Sequence, residues 1–294
     1  MDKIIVRGSI YVALVASSYG ILATFVKLAY FDHFNTAEIT VSQFAIGLVA
    51  LFVLLIVDKR RSPGRNVAIG KGNVLKLILG GTSIGLTSIF FYSSVELISV
   101  ELGIVLLMQS IWMSVVLELL LQKRAPDSGK IISTAIILLG TVLAVDIFGN
   151  SADLDWEGVI YGLLSALSYT VCMFASNNIA TGLPPLTRSF YLVLGGLVIV
   201  LIFSFQTIAG GFSTTIFYTW GPVVAIFGTI LPPLLFTRGM PLTGIGLGAI
   251  IASIELPVSI AFAFFVLGET ITLIQCAGVV MIIAAVVIVN YRST

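Results

Sequence analysis

Gly8-Ser-Ile-Tyr-Val-Ala-Leu-Val-Ala-Ser-Ser-Tyr19 returns 150 positions later as Gly158-Val-Ile-Tyr-Gly-Leu-Leu-Ser-Ala-Leu-Ser-Tyr169. Gly, Ile, Tyr, Leu, Ala, Ser and Tyr coincide, seven positions of twelve. Further on, Leu102-Gly103 maps onto Leu247-Gly248 at a spacing of 145. The chain reads as one unit written twice, and a repeat of this length sets the architecture before any single residue does.

The repeated unit belongs in lipid. Of 294 residues 58% are hydrophobic and only 10% charged, against about 25% charged in a soluble domain. Mean hydropathy is +1.13. The apolar residues come in blocks, as in helices apolar on every side, and not in 3.6-residue stripes. A net charge of +1 gives no electrostatic basis for binding nucleic acid. Cys172 and Cys276 sit in separate apolar runs and are expected to be buried free thiols. Lys3 and Arg7 precede an apolar run from Ser9 to Tyr30. That run exceeds a signal-peptide core of about 7–15 residues, so it is expected to be a retained membrane helix.

Ten segments are long and apolar enough to cross a bilayer, which takes about 20 residues: 8–30, 36–57, 73–94, 99–121, 128–147, 157–180, 186–208, 216–237, 241–267 and 271–291. They are numbered spans 1 to 10. Turn chemistry separates them at Ser62-Pro-Gly64, Pro126-Asp-Ser-Gly129, Gly149-Asn-Ser151 and Leu183-Pro-Pro185. With the N-terminus inside, fourteen of the fifteen Lys and Arg residues fall on the inner side, as the positive-inside rule requires. Lys27, within span 1, is the exception. Asp32, Glu96, Glu101, Asp153, Asp155, Glu157 and Glu269 fall outside. Five spans per copy is an odd number, so the second copy enters the membrane upside down. The expected fold is an all-α membrane protein of ten transmembrane helices in two inverted five-helix repeats, residues 1–147 and 157–294, with both termini cytoplasmic. Inverted repeats place binding near the midplane between the halves and rock about it. Loop 58–72 is basic and polar, suited to anionic lipid headgroups.

Within the spans, polar groups mark candidate binding or coupling sites, because a charge at mid-depth costs at least about 2.5–3.5 kcal/mol. Glu255 lies near the middle of span 9. Pro257, two residues on, cannot donate to the carbonyl of Ser253, so an acceptor is expected to be freed at the same depth. A carboxylate there suits a proton, a cation or a substrate amine; the alternative is a paired or protonated carboxyl that locks the helix. Ser110 is its counterpart at a spacing of 145. Ala13, Ser17, Gly20, Thr24 and Lys27 share one helical face, suited to a cavity wall or a close helix contact. Lys27 is read as a holder of a substrate carboxylate, or else as snorkelling outward or pairing with Glu38. Its repeat partner is Asn177. Gln43 and Gln109 can hydrogen-bond a substrate or a neighbouring helix, at about 1 kcal/mol. Trp112, Tyr92, Tyr19 and Tyr169 can shape an aromatic cavity or merely pack. Glu118, near Lys123 and Arg124, reads as an interfacial ion pair, and Glu269-Thr270 as the shape of a hairpin.

Helix breakers mark candidate hinges. Pro257 is one. Pro232-Pro233 is expected to interrupt span 8, and Gly81-Thr82 and Gly228-Thr229 recur in spans 3 and 8, followed by Gly85 and Pro232. Gly244-Ile-Gly246-Leu-Gly248 permits close backbone approach. Gly81-Thr-Ser83-Ile-Gly85 matches a hydrolase pattern that needs a strand–turn–helix context; inside a span, with the single His33 in an outer loop, it reads as small-residue packing. No metal-ligand spacing or phosphate-cradling loop is present, so no metal or cofactor is expected.

Glu255-Leu-Pro257, then Leu267-Gly268-Glu269, with Gln122-Lys123-Arg124 at the matching turn of the first copy, resemble the EamA-type drug/metabolite transporters, and the resemblance covers nearly the whole chain. It implies a small-metabolite or amino-acid transporter, often an exporter, with a cavity between the repeats. Many members carry Arg in span 2 where this chain has Gln43. The reading is an alternating-access carrier in the bacterial inner membrane, partnered by lipid and a small solute, either coupled to a proton through Glu255 or letting the solute run down its own gradient, its oligomeric state open. A channel or scramblase, or more remotely an intramembrane enzyme, are the rivals.

Overall fold

The computed structural model describes residues 3–61, 70–123, 127–144, 155–268 and 272–292, and every regular element among them is helical. The turns read at Ser62-Pro-Gly64 and Gly149-Asn-Ser151, along with Arg124, Pro126, Asp153 and Glu269-Thr270, lie outside the described residues.

Spans 1 to 3 are α1 (Lys3–Phe31), α2 (Thr36–Arg61) and α3 (Lys71–Leu97). Span 4 is two half-helices, α4 (Val100–Leu107) and α5 (Ser110–Gln122), and span 5 is α6 (Ser128–Ala144). In the second copy α7 (Trp156–Asn178) is followed by α8 (Pro185–Phe203) and the short α9 (Phe205–Gly210). Span 8 joins α10 (Gly221–Ala225), a π turn (Ile226–Ile230) and α11 (Leu231–Thr243). Span 9 again splits, into α12 (Ile245–Ala252) and α13 (Glu255–Leu267), and α14 (Leu273–Arg292) completes the set. Eight of these stretches are long and apolar enough to cross a membrane. Ser128–Ala144 and Leu273–Val289 are apolar but shorter; 17 residues rise about 26 Å, against a hydrocarbon core of about 30 Å.

Local chemistry sets the helix starts. Asn35 and Glu38 form a reciprocal capping box: the Glu38 N–H donates to Asn35 Oδ1 at 2.9 Å and the Asn35 N–H to Glu38 Oε2 at 3.0 Å. Asp155 Oδ1 accepts from the Glu157 and Gly158 N–H groups and opens α7. Ser99 accepts from the Leu102 N–H, which puts the turn between spans 3 and 4 at Ile98-Ser99.

Span 8 departs from expectation. Pro232-Pro233 does not interrupt it; the helix passes through them by widening into the π turn. The Leu231 N–H bonds Ile226 O, five residues back. The Phe227 carbonyl is then left without a helical donor, since its π-register partner would be Pro232. Ser18 of α1 supplies one, its Oγ donating to Phe227 O at 2.8 Å. The span also runs beyond 237, carrying Pro241 inside α11, and stops at Gly244 (φ +79).

The two copies interlock. Helix α3 packs against α7 and α8, α1 against α11 and α13, α2 against α8, and α6 against α14, so the main contacts join one copy to the other. Glycines let α3 and α8 meet backbone to backbone: a Cβ at Gly81 would strike the Leu192 carbonyl, and one at Gly195 the Ile78 carbonyl. Gly85 faces Gly196 in the same seam, within an unbroken α3. Such seams give close dispersion contact where lipid removes any hydrophobic drive between helices.

Candidate functional site

The half-helices of spans 4 and 9 break at Met108-Gln109 and Ser253-Ile254, positions 145 apart. Glu255 and Ser110, the predicted counterparts, are therefore the first residues of α13 and α5. Glu255 is only 3% exposed, and its Oε2 has no hydrogen-bond partner. Ser110 is fully buried, and its Oγ is likewise unpartnered. The Ser253 carbonyl is not freed as expected, because the Leu256 N–H takes it at 3.2 Å in a tighter turn. The loose atom at this depth is the carboxylate oxygen itself.

Glu255 faces a cavity between the two copies, walled by Tyr19, Leu22 and Ala23 of α1, Ile84, Thr87, Ser88, Phe91 and Tyr92 of α3, Leu107 of α4, and Tyr169 and Cys172 of α7. The void there is about 470 Å³ with its opening to solvent included, and about 40 Å³ of it stands far enough from the walls to seat a water centre. At roughly 10–15 Å³ per water, that is room for a few waters. The repeat partners Tyr19 and Tyr169 meet edge to face, with centroids 6.0 Å apart. Phe236 lies 6.2 and 6.1 Å from them. The Tyr169 hydroxyl is buried without a partner, so two of the residues lining this space each carry an unpartnered buried polar atom. Ser133 and Thr134, also unpartnered, belong to α6, which packs on α14.

Other predicted residues support the wall or stand apart from it. Gln43 is buried behind Tyr92, whose hydroxyl donates to Gln43 Oε1 at 2.6 Å. Thr229 Oγ1 in turn donates to the Gln43 carbonyl at 2.8 Å. Gly20 is a contact point: a Cβ there would lie 2.6 Å from the Glu255 carbonyl and 3.0 Å from the Ser259 nitrogen. Ser17 donates to Ala13 O within its own helix. Gln109 bonds Val105 O across the break and accepts from Trp112 Nε1, and the Trp112 side chain is exposed on the bundle surface. Asn177 bonds Asn178 at the end of α7. Pro257 lines an apolar groove between α1, α13 and α14. Lys27 lines a separate and roomier cavity, with about 480 Å³ open to water centres against about 40 Å³ in the central one, together with Tyr30, His33, Asn35, Glu96 and Ser99. Cys172 is buried as expected; Cys276 is not, and its thiol is exposed. Ser83 donates to Gly80 O within α3. Glu118 pairs with Lys130 at 2.6 Å, against Gly246 at the start of α12.

Two further charges, Arg188 and Glu38, are buried against backbone groups that the sequence did not indicate. Arg188, 1% exposed, donates to Ile179 O at 3.0 Å, Thr237 O at 2.8 Å and Ser176 O at 2.6 Å. Glu38, besides its cap, accepts the Ser213 N–H at 2.7 Å through Oε1. The two positions are 150 apart, a signal present in the repeat. Ser213 precedes span 8 and Thr237 lies in its last turns, so equivalent residues bind opposite ends of one span. Opposite charges at matched positions thus tie down opposite kinds of backbone group, Glu38 the N–H donors and Arg188 the carbonyls.

Apolar helices in two interlocked copies, around a mostly apolar cavity that holds one buried carboxyl, define an integral, multi-pass membrane protein of the transporter type. The chain belongs to the EamA-like transporter family, whose model matches residues 6–145 and 156–291. Over 132 residues it is 30% identical to an uncharacterized transporter of Archaeoglobus fulgidus. That match covers 45% of this chain and 47% of that protein, so the chain spans about half the length of the curated relative it matches. A solved crystal structure superposes with a TM-score of 0.75 over 98% of both chains at 11% identity, which shows a shared fold.

Proposed function

We propose that the protein is a secondary carrier that moves a small amphiphilic metabolite by alternating access, with export as its working direction. Ten spans in two inverted repeats would turn about the Tyr19–Tyr169 contact, both termini on the cytoplasmic side. The observation that carries this reading is the unpartnered Glu255 carboxylate at the head of a half-helix, facing a cavity walled by both copies. Half-helix starts at mid-membrane are where carriers place substrate and coupling ions. A cavity with room for a few waters fits a state between the two open ones. Glu38 and Arg188 would hold backbone at the outer and inner ends, and opening either side strains the seam nearest to it.

Glu255 is also the group through which a proton would couple to transport. The other titratable groups lining the space are Tyr19 on α1, Tyr92 on α3, and Tyr169 and Cys172 on α7. Counterflow in proteoliposomes, screened over a metabolite panel, tests the reading. A carrier shows uptake stimulated by solute on the trans side, and Glu255→Gln abolishes it or flattens its pH profile. Flux without trans-stimulation would mark a pore. Normal counterflow with an unchanged pH profile in Glu255→Gln would remove Glu255 from the mechanism.

A further inference from the structure

Resting on the carrier reading, we infer that the central cavity selects organic cations, primary amines or quaternary ammonium ions bearing an aryl or branched alkyl group, and rejects solutes with a free carboxylate. The charge inventory carries this. Glu255 is the one formally charged side chain lining the space, and neither Lys, Arg nor His lines it. The nearest candidates are committed elsewhere. Arg188 spends its guanidinium on three backbone carbonyls, and Lys27 lines the separate, roomier cavity. A carboxylate entering while Glu255 is ionised would find no cation to offset it, and like charges juxtaposed in a desolvated site cost several kcal/mol.

The hydroxyls of the wall do not reverse this choice of sign, since those of Tyr19, Ser88 and Tyr169 can each donate or accept. Tyr92 and Thr87 have already donated their hydroxyl protons, to Gln43 Oε1 and to Ser83 O. Glu255 Oε2 and the Tyr169 hydroxyl oxygen remain without partners, and both can accept from an ammonium. The rings of Tyr19, Tyr169 and Phe91 add faces on which a cation is held by the aromatic quadrupole, worth about 2 kcal/mol or more when desolvated. The positive end of the α13 dipole does not call for an anionic substrate, because Glu255 itself occupies that end.

The test uses purified full-length protein carrying Cys276→Ser, so that Cys172 in the cavity wall is the single thiol. Benzyltrimethylammonium, phenethylamine, phenylalanine and 3-phenylpropionate are titrated against the rate at which N-ethylmaleimide modifies Cys172. The two cations are expected to slow modification at concentrations at least tenfold below any effect of phenylpropionate, with phenylalanine nearer the anion. Glu255→Gln is expected to weaken cation protection about tenfold or more, and Tyr169→Phe about threefold. Should Glu255→Gln fail to fold, the wild-type ranking decides alone. Protection by phenylpropionate or phenylalanine matching that by phenethylamine would overturn the inference, as would cation protection undiminished in a folded Glu255→Gln protein. Counterflow separates the two levels. Trans-stimulated flux of an anion or zwitterion leaves the carrier standing and sinks the cation selectivity. Glu255-dependent cation binding with no counterflow of any solute leaves the site standing and sinks the carrier.

Discussion

Spans 4 and 9 break at the same place and are armed differently. At both breaks the chain turns through three-residue hydrogen bonds: Gln109 N–H to Leu106 O and Ile111 N–H to Met108 O in one, Ser253 N–H to Ile250 O and Leu256 N–H to Ser253 O in the other. Only span 9 has a proline there. The position matching Pro257 is Trp112, which is exposed. Proline therefore does not cause the break; it is tolerated where the fold already turns, in the first turn of a half-helix where its missing N–H costs little. The residue heading the second half-helix separates the two: a serine in one copy, a carboxylate in the other. Duplication made the shape twice, and the chemistry sits on one side only.

The largest effect expected from altering this pair belongs to Glu255. Glu255→Gln keeps the shape and removes the charge. Counterflow should fall by at least about 100-fold, or roughly 2.7 kcal/mol of lost stabilisation. A drop of less than threefold would make the two breaks chemically alike. Next comes the packing behind each break. Gly20 of α1 sits against the Glu255 backbone, whereas the matching Thr170 of α7 already carries a side chain, its Oγ1 3.4 Å from the Ser110 carbonyl. Gly20→Val should force α1 and α13 apart and destabilise the protein by about 1–3 kcal/mol, seen as a lower melting temperature in detergent. An unchanged melting temperature would mean that the two sides are packed equally loosely. Smallest is Pro257→Ala. If the break belongs to the fold, melting should shift by less than about 1 kcal/mol and counterflow should stay within about twofold. Loss of transport would give the proline the role denied to it above.

The overall fold was legible because two strong signals agreed, a repeat and a run of apolar blocks. Its errors fall where one residue type permits two outcomes. Pro232-Pro233 can end a helix or be absorbed by a π turn, and Ser18, more than 200 residues away, decides which. Glu255 stood out because a carboxylate in mid-span has few bland explanations. Lys27 carries a charge within a span too, but depth along the helix, not charge, sets which cavity it lines, and it lines the one beside His33 and Glu96 at the end of α1. The backbone ties of Glu38 and Arg188 are not legible in the sequence, because their partners are backbone atoms that no side-chain pattern announces. On sequence grounds Gln43 can contact a substrate or a neighbouring helix; in the structure its side-chain oxygen accepts from Tyr92 of α3.

The central claim, one cavity reached in turn from the two sides, is tested most directly at Cys172. With Cys276→Ser as background, oriented vesicles are treated with a membrane-impermeant thiol reagent from either face, with and without a transported solute bound. An alternating carrier predicts that Cys172 is modified from both faces, that a condition raising modification from one face lowers it from the other, and that bound solute slows both. Modification from one face only under every condition, or simultaneous rises on both faces, would contradict it.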